Sequence, residues 1–246
     1  MDQEKLNLTV SCSPHVHAPD GTRDIMLDVV IALIPALIGG IFYFGVRSLC
    51  IAAASVAACV VFEYLYRKLL KKDNTVPDCS AVVTGLLLAM VCPVTIPYWT
   101  LVIGDFFAIV VVKQLFGGIG CNFLNPALAG RAFLFSYPVI MTTWVAPYTS
   151  LKLIGSNADA VTAATPMSYL HQGMLPDTSV MSSFLGSVGG CMGETSAVLL
   201  LLGGAYLLVR KVISARIPVA YIVTVAVIAL LFPQGNDRLQ WLGYQV

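Results

Sequence analysis

The sequence predicts an all-α polytopic membrane protein with about seven transmembrane segments, and three observations predict it. Charged residues are 11% and hydrophobic residues 58% of the chain, whereas soluble domains carry roughly 25% charged residues. Such a chain has too little charge to cover its own surface in water, and a bilayer supplies the missing apolar solvent. Apolar runs recur at 25–46, 48–66, 79–92, 98–115, 125–141, 195–213 and 217–233. Lys and Arg gather between alternate runs, as the positive-inside bias requires.

Residues 1–24 are polar and form an N-terminal tail, expected in the cytoplasm. The first apolar run is too long for the h-region of a signal peptide. Residues 25–141 hold five runs. The runs 25–46 and 48–66 are good spans, because a crossing helix needs roughly 20 apolar residues. The run 79–92 is short and bounded by Pro77 and Pro93, and 125–141 opens on Asn125-Pro126 behind Gly117-Gly118-Ile119-Gly120. Short spans interrupted by Gly and Pro mark broken helices that line a site. Residues 142–194 form a long polar segment, and 195–246 hold the last two runs.

With the N-terminus inside and all seven runs crossing, the inner segments hold eleven Lys or Arg and the outer ones three: Arg47, Lys152 and Arg238. The segment 142–194 is therefore expected outside. The near-zero net charge of +1 gives no reason to expect a nucleic-acid partner. The seven cysteines show no CxxC and no zinc spacing, and most read as small packing residues. His15 and His17 lack companions for a metal site, so no metal ligand is assigned. The glycines 117, 118 and 120 follow no strand, which weighs against a dinucleotide loop. Among intramembrane carboxylates, functional candidates by default, Glu63 has Arg67 four residues on, the spacing of a helical ion pair. Asp28 lies near the inner end of its span. Asp105 is nearer mid-span and requires a partner or a polar path.

In the outer segment, Thr165-Pro166 reads as an N-cap followed by proline at the first helical position, with a helix to about Gln172. A plain cap is the simplest account. The backbone N–H groups of such a helix also suit a phosphate esterified to the threonine.

The wider pattern resembles a known modification signal. Asp159-x-x-Thr162-x-Ala164-Thr165 is similar to the acceptor motif of flavin transferases, FAD-dependent enzymes that place FMN on the last threonine as a phosphoester. The stretches Ser13-Pro14-His15, Ala18 to Asp28, Lys113 to Ala127 and Gly193-Glu194-Thr195-Ser196 resemble, in order, one family of membrane proteins. It comprises the D-type subunits of Rnf electron-transport complexes and the B-type subunits of sodium-pumping NADH:quinone reductases. That resemblance implies a urea-transporter-like fold of ten helices in inverted repeats, here truncated at the C-terminus. It makes 25–141 the first membrane repeat and 195–246 the start of a second, incomplete one. It implies FMN held covalently by Thr165, with Asp159, Thr162, Ala164 and Pro166 forming the attachment signal. Gly193, Glu194, Thr195 and Ser196 are expected to pack beside the flavin, and a non-covalent riboflavin is a second expected cofactor. No catalytic side chain is assigned. The implied setting is the bacterial cytoplasmic membrane. The implied partners are the other Rnf subunits, the maturing transferase and the bilayer. The implied function is electron transfer between ferredoxin and NAD⁺ coupled to Na⁺ or H⁺ transport. A urea-transporter-like solute channel or carrier, and a structural membrane scaffold, are the alternatives.

Overall fold

A computed structural model describes residues 21–149, 151–153, 165–171, 174, 176, 178–232 and 243–244. Among them there is no strand. Ten α-helices follow one another: α1 (Thr22–Phe44), α2 (Val46–Leu69), α3 (Ser80–Met90), α4 (Tyr98–Phe106), α5 (Pro126–Leu134), α6 (Pro138–Met141), α7 (Pro166–His171), α8 (Val180–Leu185), α9 (Ala197–Val209) and α10 (Arg216–Leu231). Two of them, α1 and α2, are long and apolar enough to cross a membrane. The apolar runs behind α3, α9 and α10 give shorter apolar helices. This all-helical, apolar architecture is that of a membrane protein.

Helix α1 starts at Gly21, whose N–H donates to the Asp24 carboxylate at 3.0 Å. It buries a stripe of small residues, Ala32, Ala36, Gly39 and Gly40, beside Asp28. Small residues let helix backbones approach closely where lipid removes the hydrophobic drive for association. Helix α9 uses this stripe: a Cβ at Gly203 would collide with the Ala32 carbonyl. At the far end of the same seam, Asp28 accepts from Tyr206 at 2.8 Å and pairs with Arg210 at 3.2 Å, so it is tied to α9.

Helices α1 and α2 are joined by Gly45 alone, at φ 77° and ψ −170°, a conformation open essentially only to glycine. Helix α3 has 11 residues, about 16 Å at 1.5 Å per residue, half the bilayer core. It runs nearly wholly buried through the bundle. Gly85 permits this, because a Cβ there would lie 2.8 Å from Val56 Cα and 2.9 Å from the Ser55 carbonyl. Helix α4 continues into a π-helical segment, Phe107–Gln114, a rare geometry often found at functional sites. The run 125–141 is broken after Leu134. Asn125 caps α5 by accepting from the N–H groups of Ala127 and Leu128, and Pro138 opens the short α6.

The expected Glu63–Arg67 pair is not formed. Glu63, fully buried, instead pairs with Lys113 of the π-helical segment at 2.6 Å. In the low-dielectric interior, a partner brought in by packing wins over a flexible neighbour one turn away. Three cations counted in the charge bias likewise belong to the bundle. Lys113 is one. Arg47, 2% exposed, donates to the carbonyls of Val94, Ile96, Lys152 and Leu153. Arg131 lies within α5 and pairs with Glu194. Removing Lys113 and Arg131 from the eleven and Arg47 from the three changes that count to nine against two.

Candidate functional site

The end of α3 leaves carbonyls without helical donors, as every helix C-terminus does. The segment before α9 supplies those donors. Gly193 N–H donates to the Met90 carbonyl at 2.8 Å, the Cys191 thiol to the Val91 carbonyl at 3.2 Å, and Met192 N–H to the Cys92 carbonyl at 3.4 Å. Thr195 Oγ1 closes the turn on the carbonyls of Cys191 and Met192, both at 3.2 Å. Gly193 has no room for a side chain, since a Cβ would lie 2.7 Å from Met90 Cβ. Burial, and then the Glu194 carboxylate, push the Cys191 thiol up, so it remains a donor rather than a thiolate.

This pinned turn forms one wall of a cleft of about 420 Å³, whose lining includes Arg131, Trp144, Thr165, Pro166, Glu194 and Thr195. The volume lies in the range of small-molecule sites. Thr165 is half-buried and directly precedes α7. Its carbonyl accepts from Ser168 N–H at 2.9 Å and Ser168 Oγ at 2.7 Å, which fixes the first turn. Arg131 reaches in from α5, donating to Glu194 at 3.1 Å and to the Cys191 sulfur at 3.6 Å, with its guanidinium 5.7 Å from the Phe135 ring. Glu194 is half-exposed in that pair, and such bridges contribute about 1 kcal/mol or less. Arg131 and Glu194 line the cleft together, so their charges offset each other there.

The structure thus brings Thr165 and Pro166 together with Glu194 and Thr195, residues about thirty positions away in the chain. Gly193 and Ser196 are buried just behind, Gly193 on α3 and Ser196 at the start of α9. Asp159, Thr162 and Ala164 lie outside the described residues. Sequence reasoning missed Arg131 and Trp144. Arg131 was legible as a cation inside an apolar run, where only carboxylates were weighed as intramembrane charges. Trp144 carries no local signal.

The fold and this cleft define an all-helical membrane protein with a mainly apolar, partly aromatic site that carries one ion pair and the Thr165 hydroxyl beside its broken helices. Residues 9–243 match the model of the NQR2, RnfD, RnfE family, and the chain belongs to that family. One similar protein is the D-type subunit of the Na(+)-translocating ferredoxin:NAD(+) oxidoreductase complex of Acetobacterium woodii, 47% identical over 233 residues, covering 94% of this chain and 71% of that one. The corresponding subunit of the Proton-translocating ferredoxin:NAD(+) oxidoreductase complex of Clostridium ljungdahlii is 42% identical over 245 residues, covering 94% and 71%. That of the Ion-translocating oxidoreductase complex of Rhodobacter capsulatus is 37% identical over 243 residues, covering 89% and 68%.

Proposed function

We propose that this chain is the flavin-carrying membrane subunit of an ion-translocating ferredoxin:NAD⁺ oxidoreductase, with FMN joined through its phosphate to Thr165. The observation that carries the reading is the cleft, in which the acceptor threonine of the transferase-like motif faces Arg131, Trp144 and the Glu194–Thr195 turn. These residues fit the group: a hydroxyl for the ester, a cation that can exchange its Glu194 pair for an anionic moiety, and an indole against which a flat ring packs. Bound flavin supplies one- and two-electron chemistry that no side chain here offers. The protein's part is position and charge. Thr165 fixes one end, and the turn pinned to α3 holds the opposite wall still. Arg131 is the cation available to an anionic group, in exchange for its Glu194 pair. Asp159, Thr162 and Ala164 serve recognition by an FAD-dependent transferase.

The setting is a bacterial cytoplasmic membrane, with the N-terminus inside and the Thr165 segment outside, as the Lys/Arg asymmetry favours. The seven apolar runs cross or enter the bilayer as part of a urea-transporter-like fold of inverted repeats, and partner subunits carry electrons to and from the flavin. Whether riboflavin joins the FMN is read from non-covalent flavin released on denaturation. In a denaturing gel the chain is expected to show flavin fluorescence under ultraviolet light. Thr165→Val should abolish it while the protein stays in the membrane. Fluorescence retained in that variant, or a colourless wild-type chain conducting a solute, contradicts the proposal.

A further inference from the structure

A second polar constellation lies inside the bundle. Asp105, on the last turn of α4, is fully buried. Its Oδ1 lies 2.6 Å from Ser55 Oγ and 3.3 Å from Cys59 Sγ, both on α2. The same Ser55 Oγ lies 2.8 Å from the Gly85 carbonyl oxygen on α3. Both oxygen–oxygen distances are hydrogen bonds by length, so the row Gly85 O, Ser55 Oγ, Asp105 Oδ1 needs two protons. A carbonyl has none and a serine hydroxyl has one. If Ser55 donates to Gly85, the second proton has to be on Asp105. An ionised carboxylate is acceptor-only, so the one Ser55 proton would have to be split between two acceptors, a weaker arrangement than two full hydrogen bonds at 2.6 and 2.8 Å.

Charge gives the same answer independently. Asp105 Oδ2 is buried without a hydrogen-bond partner, and among the described residues Asp105 has no ion pair. The ionisable groups around it are accounted for. Cys59 faces it from α2, and Glu63, one turn further along α2, is taken by Lys113 of the π-helical segment at 2.6 Å. Helix α3 brings none within its length and Cys92 beyond it, and α5 brings Arg131, which points to Glu194. An uncompensated carboxylate in such a place costs several kcal/mol, and protonation removes that cost.

A second polar cluster begins at Glu63 and leads toward the lysine-rich turn after α2. Glu63, one helical turn past Cys59, accepts from Lys113 and, at 2.5 Å, from Thr75 Oγ1. Lys113 also donates to Ser80 Oγ at 2.5 Å, and Ser80 donates to Asp78 at 2.5 Å. Burial falls off along this line, from Glu63 and Lys113 through half-buried Thr75 and Asp78 to the exposed residues 71–74. Beside it, Gln114 is 1% exposed with both amide atoms unpartnered, so the polar interior extends beyond the bonded residues.

We propose that Asp105 is a proton-binding site within the membrane domain, occupied at neutral pH and exchanging through the Glu63–Lys113–Ser80 cluster with the lysine-rich end of the bundle. The inference rests on the membrane setting proposed above. A proton is the ligand because it both completes the hydrogen bond between Asp105 Oδ1 and Ser55 Oγ and neutralises the buried carboxylate.

The test is infrared spectroscopy of the full chain in membranes at pH 7. A protonated-carboxyl band that shifts in D₂O is expected, and it should vanish in Asp105→Asn. In Ser55→Ala the band should persist at higher wavenumber, having lost a hydrogen bond. Its exchange with D₂O should slow severalfold in the double variant Glu63→Gln/Lys113→Met. A wild-type spectrum without the band, a band unchanged in Asp105→Asn and Ser55→Ala, or its loss when Na⁺ replaces K⁺ overturns the proton site. Unchanged exchange in the double variant overturns the route. Mass analysis of the Thr165 peptide from the same samples reports flavin attachment separately, so failure of either proposal is distinguishable.

Discussion

Replacing Lys113 by methionine probes the interior directly. The substitution keeps an unbranched chain of similar size and removes only the ammonium, leaving Glu63 fully buried with Thr75 as its remaining donor. The side chains of the pair are 3% and 0% exposed, with 2.6 Å between charged atoms, so solvent cannot step in for the lost cation. Breaking a buried pair from one side costs about 3–5 kcal/mol, because a charge is stranded. Removing both charges together is far milder, since replacing a buried pair by uncharged residues is often near neutral. Lys113→Met and Glu63→Gln should each destabilise by about 3–5 kcal/mol. The double variant should lose less than either. Reversible unfolding in mixed micelles, arranged as a double-mutant cycle, measures this. If the double variant loses the sum of the two single losses, the charges are not coupled and the buried pair is refuted.

Two further outcomes follow from the packing. Gly85→Ala places a methyl 2.8 Å from Val56 Cα and 2.9 Å from the Ser55 carbonyl, so α2 and α3 have to part, at about 1–3 kcal/mol for overpacking. The same unfolding assay reads it, and a neutral substitution would show the two helices are not in close contact. Asn125→Ala removes the side chain that caps α5 at Ala127 and Leu128, with an expected loss of about 1 kcal/mol, whereas Asn125→Asp should retain nearly all stability.

Much of the helical layout was legible in the chain. The length and apolarity of the first two runs announce α1 and α2, Pro77 and Pro93 bracket the short α3, and Asn125-Pro126 is the cap and first turn of α5. These features are local, set by backbone sterics and capping. The Thr165-Pro166 start of α7 was legible for the same reason. What could not be read was long-range choice. Glu63 had a plausible neighbour at Arg67, yet its partner is Lys113, fifty residues on. That choice depends on the π-helical turn of Phe107–Gln114, which no propensity encodes. Arg131 and Trp144 join the cleft because α5 and the stretch after α6 pack beside the pinned turn, an outcome of tertiary structure alone. Asp105 was legible as a mid-span carboxylate, but its proton count appears only when Ser55 and Gly85 are seen beside it.

Tandem mass spectrometry of the purified chain, digested and fragmented, asks whether the Thr165 hydroxyl carries the flavin. Esterification there predicts a mass increment equal to FMN less one water, carried by Thr165 and by no other residue of its peptide. A peptide of unmodified mass from a complex that is active, or an increment on Thr162 instead, would contradict it.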